Sequence, residues 1–128
     1  MAKTTQLTVA AESKPGVLAR VSEALSQAGI NITGLCAGET AGRGKIRLLV
    51  SDTARAKQAL AAAKIRCSEE PALLLPLENR PGALAEVASR LAAAKINIKC
   101  AYATTGGSGP AHAVIVVANP DKALKALG

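Results

Sequence analysis

Residues 81–103 repeat residues 15–37 at a shift of 66, and this internal duplication limits the folds open to the chain more than any other feature. Pro, Gly, Leu, Ala, Val, Leu, Ala, Ile, Asn, Ile and Ala recur in order, 11 identities in 23 positions. Upstream, Leu7 pairs with Leu73 and Glu12 with Glu78. Downstream, after a one-residue insertion, Ala56, Ala59 and Leu60 fall on Ala123, Ala126 and Leu127. The period exceeds that of solenoid repeats, so each copy is long enough to be a small domain with its own core. Residues 1–69 and 70–128 are therefore expected to be two modules in tandem. A domain of that size is marginal alone, so the modules are expected to pack on each other or on a second chain.

The core must be aliphatic. Hydrophobic residues make up 49% of the chain, yet Trp and Phe are absent and Tyr102 is the only aromatic residue. No apolar run approaches the roughly 20 residues that span a bilayer, and Met1-Ala2-Lys3-Thr4-Thr5 lacks a signal-peptide pattern, so a cytoplasmic location is expected. Cys36, Cys67 and Cys100 are odd in number and widely spaced, which argues against a disulfide framework and paired metal ligands; they read as reduced, mostly buried small side chains. The net charge of +7 is concentrated in the first copy, where Arg43, Lys45 and Arg47 cluster with Lys64 and Arg66. Such a cluster meets phosphate, an acidic partner or only solvent.

Each copy reads strand, helix, strand, strand, helix. Thr5–Glu12 alternates as a half-buried strand does. Pro15-Gly16 opens a helix with the apolar stripe Val17, Leu18, Val21, Leu25 and Ala28, which Leu84, Val87, Ala88 and Leu91 repeat. Gly29 ends the first helix, and Lys95 stands in its place in the second copy. The strands from Ile30 and Ile96 follow, turned back at Gly38–Gly44 and Thr104–Pro110 into Lys45–Ser51 and Ala111–Ala118. Thr53–Ala63 and Asp121–Leu127 form second helices, with Asp52 and Asn119 as N-caps. Ile65–Ser68 supplies a fourth strand to the first copy, and the second stops before any equivalent. The order is that of an α+β, ferredoxin-like βαββαβ sandwich, the second module lacking its last strand.

The segment ENRPGALAEVASRLAAAKINI, residues 78–98, resembles the ACT domain, a regulatory amino-acid-binding module, most of all the one at the end of phosphoglycerate dehydrogenase. Glu12-Ser13-Lys14-Pro15-Gly16-Val17-Leu18 is a degraded copy of its loop. The resemblance implies a small amino acid held between two neighbouring modules, by the loop before the first helix of one and the second strand of the other. Asn79 matches the family's loop asparagine, and Asn97 and Asn31 its strand asparagine. Ser13 replaces the loop asparagine in the first copy, and Leu77 and Ala11 replace the histidine of the dehydrogenase, so no serine preference carries over.

The residues support such a site independently. A helix N-terminus presents unpaired N–H groups and a positive dipole end, and Gly16 or Gly82 lets a carboxylate approach closely. An asparagine side chain both donates and accepts, which suits a zwitterion. The expected ligand-binding residues are Ser13, Gly16, Val17, Asn31, Asn79, Arg80, Gly82, Ala83, Leu84 and Asn97. No catalytic set, metal site or cofactor motif accompanies them; His112, the only histidine, falls beside Val114 and Val116 on the face away from the helices. A regulatory protein binding a small amino acid, and not an enzyme, is the first reading. The second is a basic ferredoxin-like nucleic-acid-binding or protein-interaction module, for which base stacking has only Tyr102. Finally, stopping at Gly128 leaves residues 72–77 with an unpaired edge and Leu74, Val114 and Val116 on an apolar outer face, so a homodimer is expected to cover them.

Overall fold

The computed structural model describes residues 2–12, 14–104 and 111–128, with six strands and four helices. In chain order these are β1 (Ala2–Glu12), α1 (Val17–Gln27), β2 (Ile32–Thr40), β3 (Arg43–Val50), α2 (Thr53–Ala62), β4 (Ser68–Leu77), α3 (Ala83–Ala93), β5 (Ile98–Thr104), β6 (Ala111–Val117) and α4 (Pro120–Leu127). The chain divides into two compact units, Thr5–Glu70 and Met1–Thr4 with Pro71–Gly128. Both have the expected α+β character.

In the Thr5–Glu70 unit, β3 lies between β2 and β1 and pairs antiparallel with both, with Leu7 opposite Leu48 and Val9 opposite Ile46. The side chains of these four residues turn inward onto Val21 and Leu25 of α1 and Ala56 and Leu60 of α2. The period-two and helical patterns thus converge on one aliphatic core, each buried leucine contributing about 1.5–3 kcal/mol. The fourth strand begins later than expected. Ile65 remains outside it, its N–H closing α2 on the Leu60 carbonyl at 2.8 Å. Ser68–Glu70 of β4 supplies the strand instead, where Thr8 Oγ1 and Ser68 Oγ are 2.6 Å apart.

The second unit repeats the arrangement with β6 between β5 and β4, and Leu73, Leu75, Ala113, Ile115 and Val117 pack with Leu91, Ala123 and Leu127. Its edge is not bare. The first residues of β1, Ala2–Thr4, occupy the position beside β4, and Lys3 Nζ reaches Asp121 of α4 at 2.8 Å. A β1 starting at Ala2 instead of Thr5 makes this possible. Of the residues expected on an apolar outer face, Val114 and Val116 are 4% and 1% exposed and Leu74 is half-buried.

Three smaller expectations need correction. Leu18 and Leu84, assigned to the buried helix stripes, are 39% and 54% exposed. Helix entry one residue after glycine turns Val17 and Ala83 toward the core and rotates the following leucine out. The first hairpin closes on Ala41 and Gly42, both with positive φ, a tighter turn than Gly38–Gly44. The three cysteines are half-buried rather than buried.

Candidate functional site

Both loops that carry the Pro-Gly pair end in the same backbone device. Gly16 and Gly82 are the N-caps of α1 and α3 with φ of 92° and 91°, left-handed values that side chains disfavour. The helix proper starts after the glycine, so Pro15 and Pro81 precede the cap rather than occupy the first turn. Arg20 N–H donates to the Gly16 carbonyl and Glu86 N–H to that of Gly82, each at 3.0 Å. No side chain caps either helix. A glycine cap leaves the positive dipole end, which favours an anion, without a side-chain cap; in the second copy the Ala83 N–H also donates to the Arg80 carbonyl at 3.4 Å.

The expected contact residues are dispersed within each unit. Val17 is half-buried and Ala83 buried against the helix entry, while Leu84, Asn79, Asn31 and Asn97 are exposed. Ser13 lies outside the described residues. Asn31 and Asn97 precede β2 and β5 instead of lying within them. Asn31 is fixed by its backbone: its N–H donates to Ser51 Oγ at 3.0 Å and its carbonyl accepts from Ser51 N–H at 2.9 Å. It lines a shallow recess with Ser22, Ser26 and Gly29, at the end of α1 opposite Gly16. An 11-residue helix is about 16 Å long, so one unit does not bring its own loop glycine and strand asparagine to one small ligand.

Arg80 is committed within its own loop. Its Nε donates to Glu78 Oε2 at 2.5 Å, its Nη2 to Glu86 at 3.1 and 3.2 Å, and its Nη1 to the Pro81 carbonyl at 3.2 Å. The hydrogen bond to Glu78, then that to Glu86, with both charges adding to them, pushes the guanidinium pKa up still further.

Beside each loop lies a groove between the end of the first strand and the first helix. In the second unit it measures about 310 Å³, with Leu75, Leu77 and Val87 on its apolar side and Glu78, Arg80, Glu86 and Arg90 on its polar side. The matching groove of the first unit measures about 350 Å³. Val9, Val17, Val21 and Ile65 form its apolar side, and Glu12, Lys14, Arg20, Lys64 and Arg66 its polar side. A further pocket of about 290 Å³ flanks the first loop toward the hairpin, lined by Val17 and Leu18 together with Ala37, Gly38, Gly44 and Ile46. None of these three grooves is lined by Asn79, Asn31 or Asn97. Of the polar groove residues, Arg80 was an expected ligand contact and Lys64 and Arg66 belonged to the basic cluster, while Arg20, Glu86 and Arg90 carried no expectation, although laying the copies over each other at the shift of 66 sets Lys14 on Arg80 and Arg20 on Glu86.

Two other features bear on chemistry. Burial pushes the Cys67 thiol pKa up, against the lowering charge of Lys57, which disfavours a nucleophilic thiolate. Among the described residues, no three His, Cys, Asp or Glu side chains gather as a metal site, and no helix is long and apolar enough to cross a membrane.

Residues 7–65 match the family described as AHAS small subunit-like ACT domain. The protein BT0572 from Bacteroides thetaiotaomicron is 33% identical, over 98% of this chain and 86% of that one, with a TM-score of 0.90. The chain belongs to the same family as BT0572, and residues 7–65 are an ACT-like domain. The regulatory subunits of aspartate kinase from Thermus thermophilus and Thermus flavus share the ACT-like fold. They have TM-scores of 0.69 and 0.63 at 21% and 20% identity, each over 98% of this chain and 93% of theirs. No curated protein sequence matches the chain.

Proposed function

We propose that this chain is a tandem pair of ACT modules, bounded near residue 70, that binds a small amino acid and passes the signal to a partner protein or to its own assembly. The supporting observation is the pair of uncapped helix entries at Gly16 and Gly82, set in the loop that the ACT resemblance assigns to the ligand. The ligand's carboxylate would meet the N–H groups around Gly82–Leu84, or those around Gly16 and Val17 in the first copy. Asn79 would hold the amine on the loop side. Asn97 or Asn31 would complete the site from a neighbouring module, in keeping with their place at the far end of the helix. We further propose a homodimer as the assembly that supplies that second side, and a cytoplasmic location. The regulatory-subunit description of the Thermus relatives is consistent with a control function and does not name this chain's ligand.

A thermal-shift panel of the common amino acids tests the proposal. At 100 times its dissociation constant, a ligand adds roughly 2.7 kcal/mol of stability. The reading predicts a saturable rise for at least one small amino acid. A flat response across the panel at millimolar concentration contradicts it.

A further inference from the structure

We infer that the groove beside α1 in the first unit is a site for a small dianion with a short aliphatic body, a dicarboxylate or a phosphate monoester. The inference rests on how the two copies fill the same framework and does not depend on the amino-acid site proposed above.

In the second unit the groove carries its own anion. Glu86 projects from α3 onto Arg80, and Glu78 closes on the same guanidinium from the loop. Both carboxylates lie on Arg80, while Arg90 Nη1 donates to the Leu127 carbonyl at 3.0 Å, so the two cations of this lining stand with two carboxylates. The first unit has the groove without that closure. Lys14 stands where Arg80 does and Arg20 where Glu86 does, two cations that repel rather than pair. Lys64 and Arg66 add two more from the turn after α2, and Glu12 is the only carboxylate in the lining.

Among the described residues, none of these four cations is within salt-bridge distance of a carboxylate. Arg20 donates from Nη2 to the Ala63 carbonyl at 3.2 Å and, among the described residues, makes no ion pair. Lys64 is held at φ 60°, a left-handed value that glycine would adopt without strain, so a lysine there costs stability. Converging cations over an apolar wall favour an anion with a hydrocarbon portion, and about 350 Å³ lies within the range of metabolite sites. An extended nucleic-acid backbone would gain nothing from Val9, Val17, Val21 and Ile65.

The test is calorimetric titration of the full chain with succinate and, separately, inorganic phosphate, at constant ionic strength. L-alanine and a short single-stranded RNA serve as further arms. The variants are Arg20→Glu, which installs the carboxylate that the second copy carries, the double variant Lys64→Ala with Arg66→Ala, and Lys99→Ala as a charge control on exposed β5. Circular dichroism checks that each folds. The native chain is expected to bind at least one of the two dianions saturably, and Lys99→Ala to match it. Arg20→Glu and the double variant should each weaken binding at least tenfold, and the stronger probe shows which anion chemistry fits. Absence of saturable binding of either dianion, equal affinity in Arg20→Glu and Lys99→Ala, or binding of RNA alone would each overturn the inference. An alanine response that survives Arg20→Glu belongs to the amino-acid site, so the two proposals fail separately.

Discussion

Glu70 shows at the scale of single residues how a surface charge pattern acquires structure. Its Oε1 accepts from Gln6 Nε2 at 2.8 Å and from Arg47 Nε at 3.1 Å, and Gln6 is fully buried. Burial pushes the carboxyl pKa up, but the hydrogen bonds from Arg47 and Gln6 and the charges of Arg47 and Lys45 outweigh it and hold the group below the usual glutamate range. The unfolded chain therefore takes up this proton more readily than the folded one. The carboxylate's contribution is complete above the usual glutamate range and is lost as pH falls through it and below. Glu70→Gln should cost about 1–2 kcal/mol at neutral pH and flatten the acid limb of stability in denaturant titrations from pH 7 to pH 3. An unchanged acid limb would show that Glu70 is not its source. Composition alone grouped Arg43, Lys45 and Arg47 as one cluster. The pairing of Arg47 was illegible because its partner lies 23 residues away, across strands.

Elements were the most legible level, because hydrophobic period and capping residues act locally. Asp52 and Asn119 cap α2 and α4 as expected, accepting from Arg55 N–H at 3.0 Å and Lys122 N–H at 3.1 Å. Periodicity failed at Leu18 and Leu84, where a left-handed glycine sets the phase of the helix and one residue of offset exchanges a buried side chain for an exposed one. Lys95 marks another local conflict. It occupies the left-handed position after α3, φ 59°, that Gly29 fills after α1. Lys95→Gly should relieve that strain and stabilise the chain by about 0.5–1 kcal/mol, read as a higher urea midpoint at unchanged slope. A lower midpoint would mean that glycine's backbone entropy outweighs the strain.

For the whole molecule, the duplication at a shift of 66 made the α+β order of both copies readable, but not which residues close the second sheet. Copy-to-copy comparison suggested a bare edge at residues 72–77, since the second copy shows no equivalent of the first copy's fourth strand. Ala2–Thr4 lies beside it, and a contact between segments so far apart in sequence leaves no local pattern. Deleting residues 2–4 should expose the β4 edge and speed amide exchange at Ala72–Leu75 by at least tenfold, with β2 and β3 unaffected. Light scattering should report about twice 12.9 kDa if the proposed homodimer forms, and a monomer at micromolar concentration would remove it. Of the proposed ligand site, the Pro-Gly loops were legible because a glycine helix cap is a local signal; the other half, which we propose comes from a neighbouring module, leaves no such signal. Calorimetric titration of the most stabilising amino acid into the native chain and Asn79→Ala tests the central claim most directly. The account predicts saturable binding that weakens by about 1–3 kcal/mol in the variant, and an unchanged affinity, or no binding heat in the native chain, would contradict it.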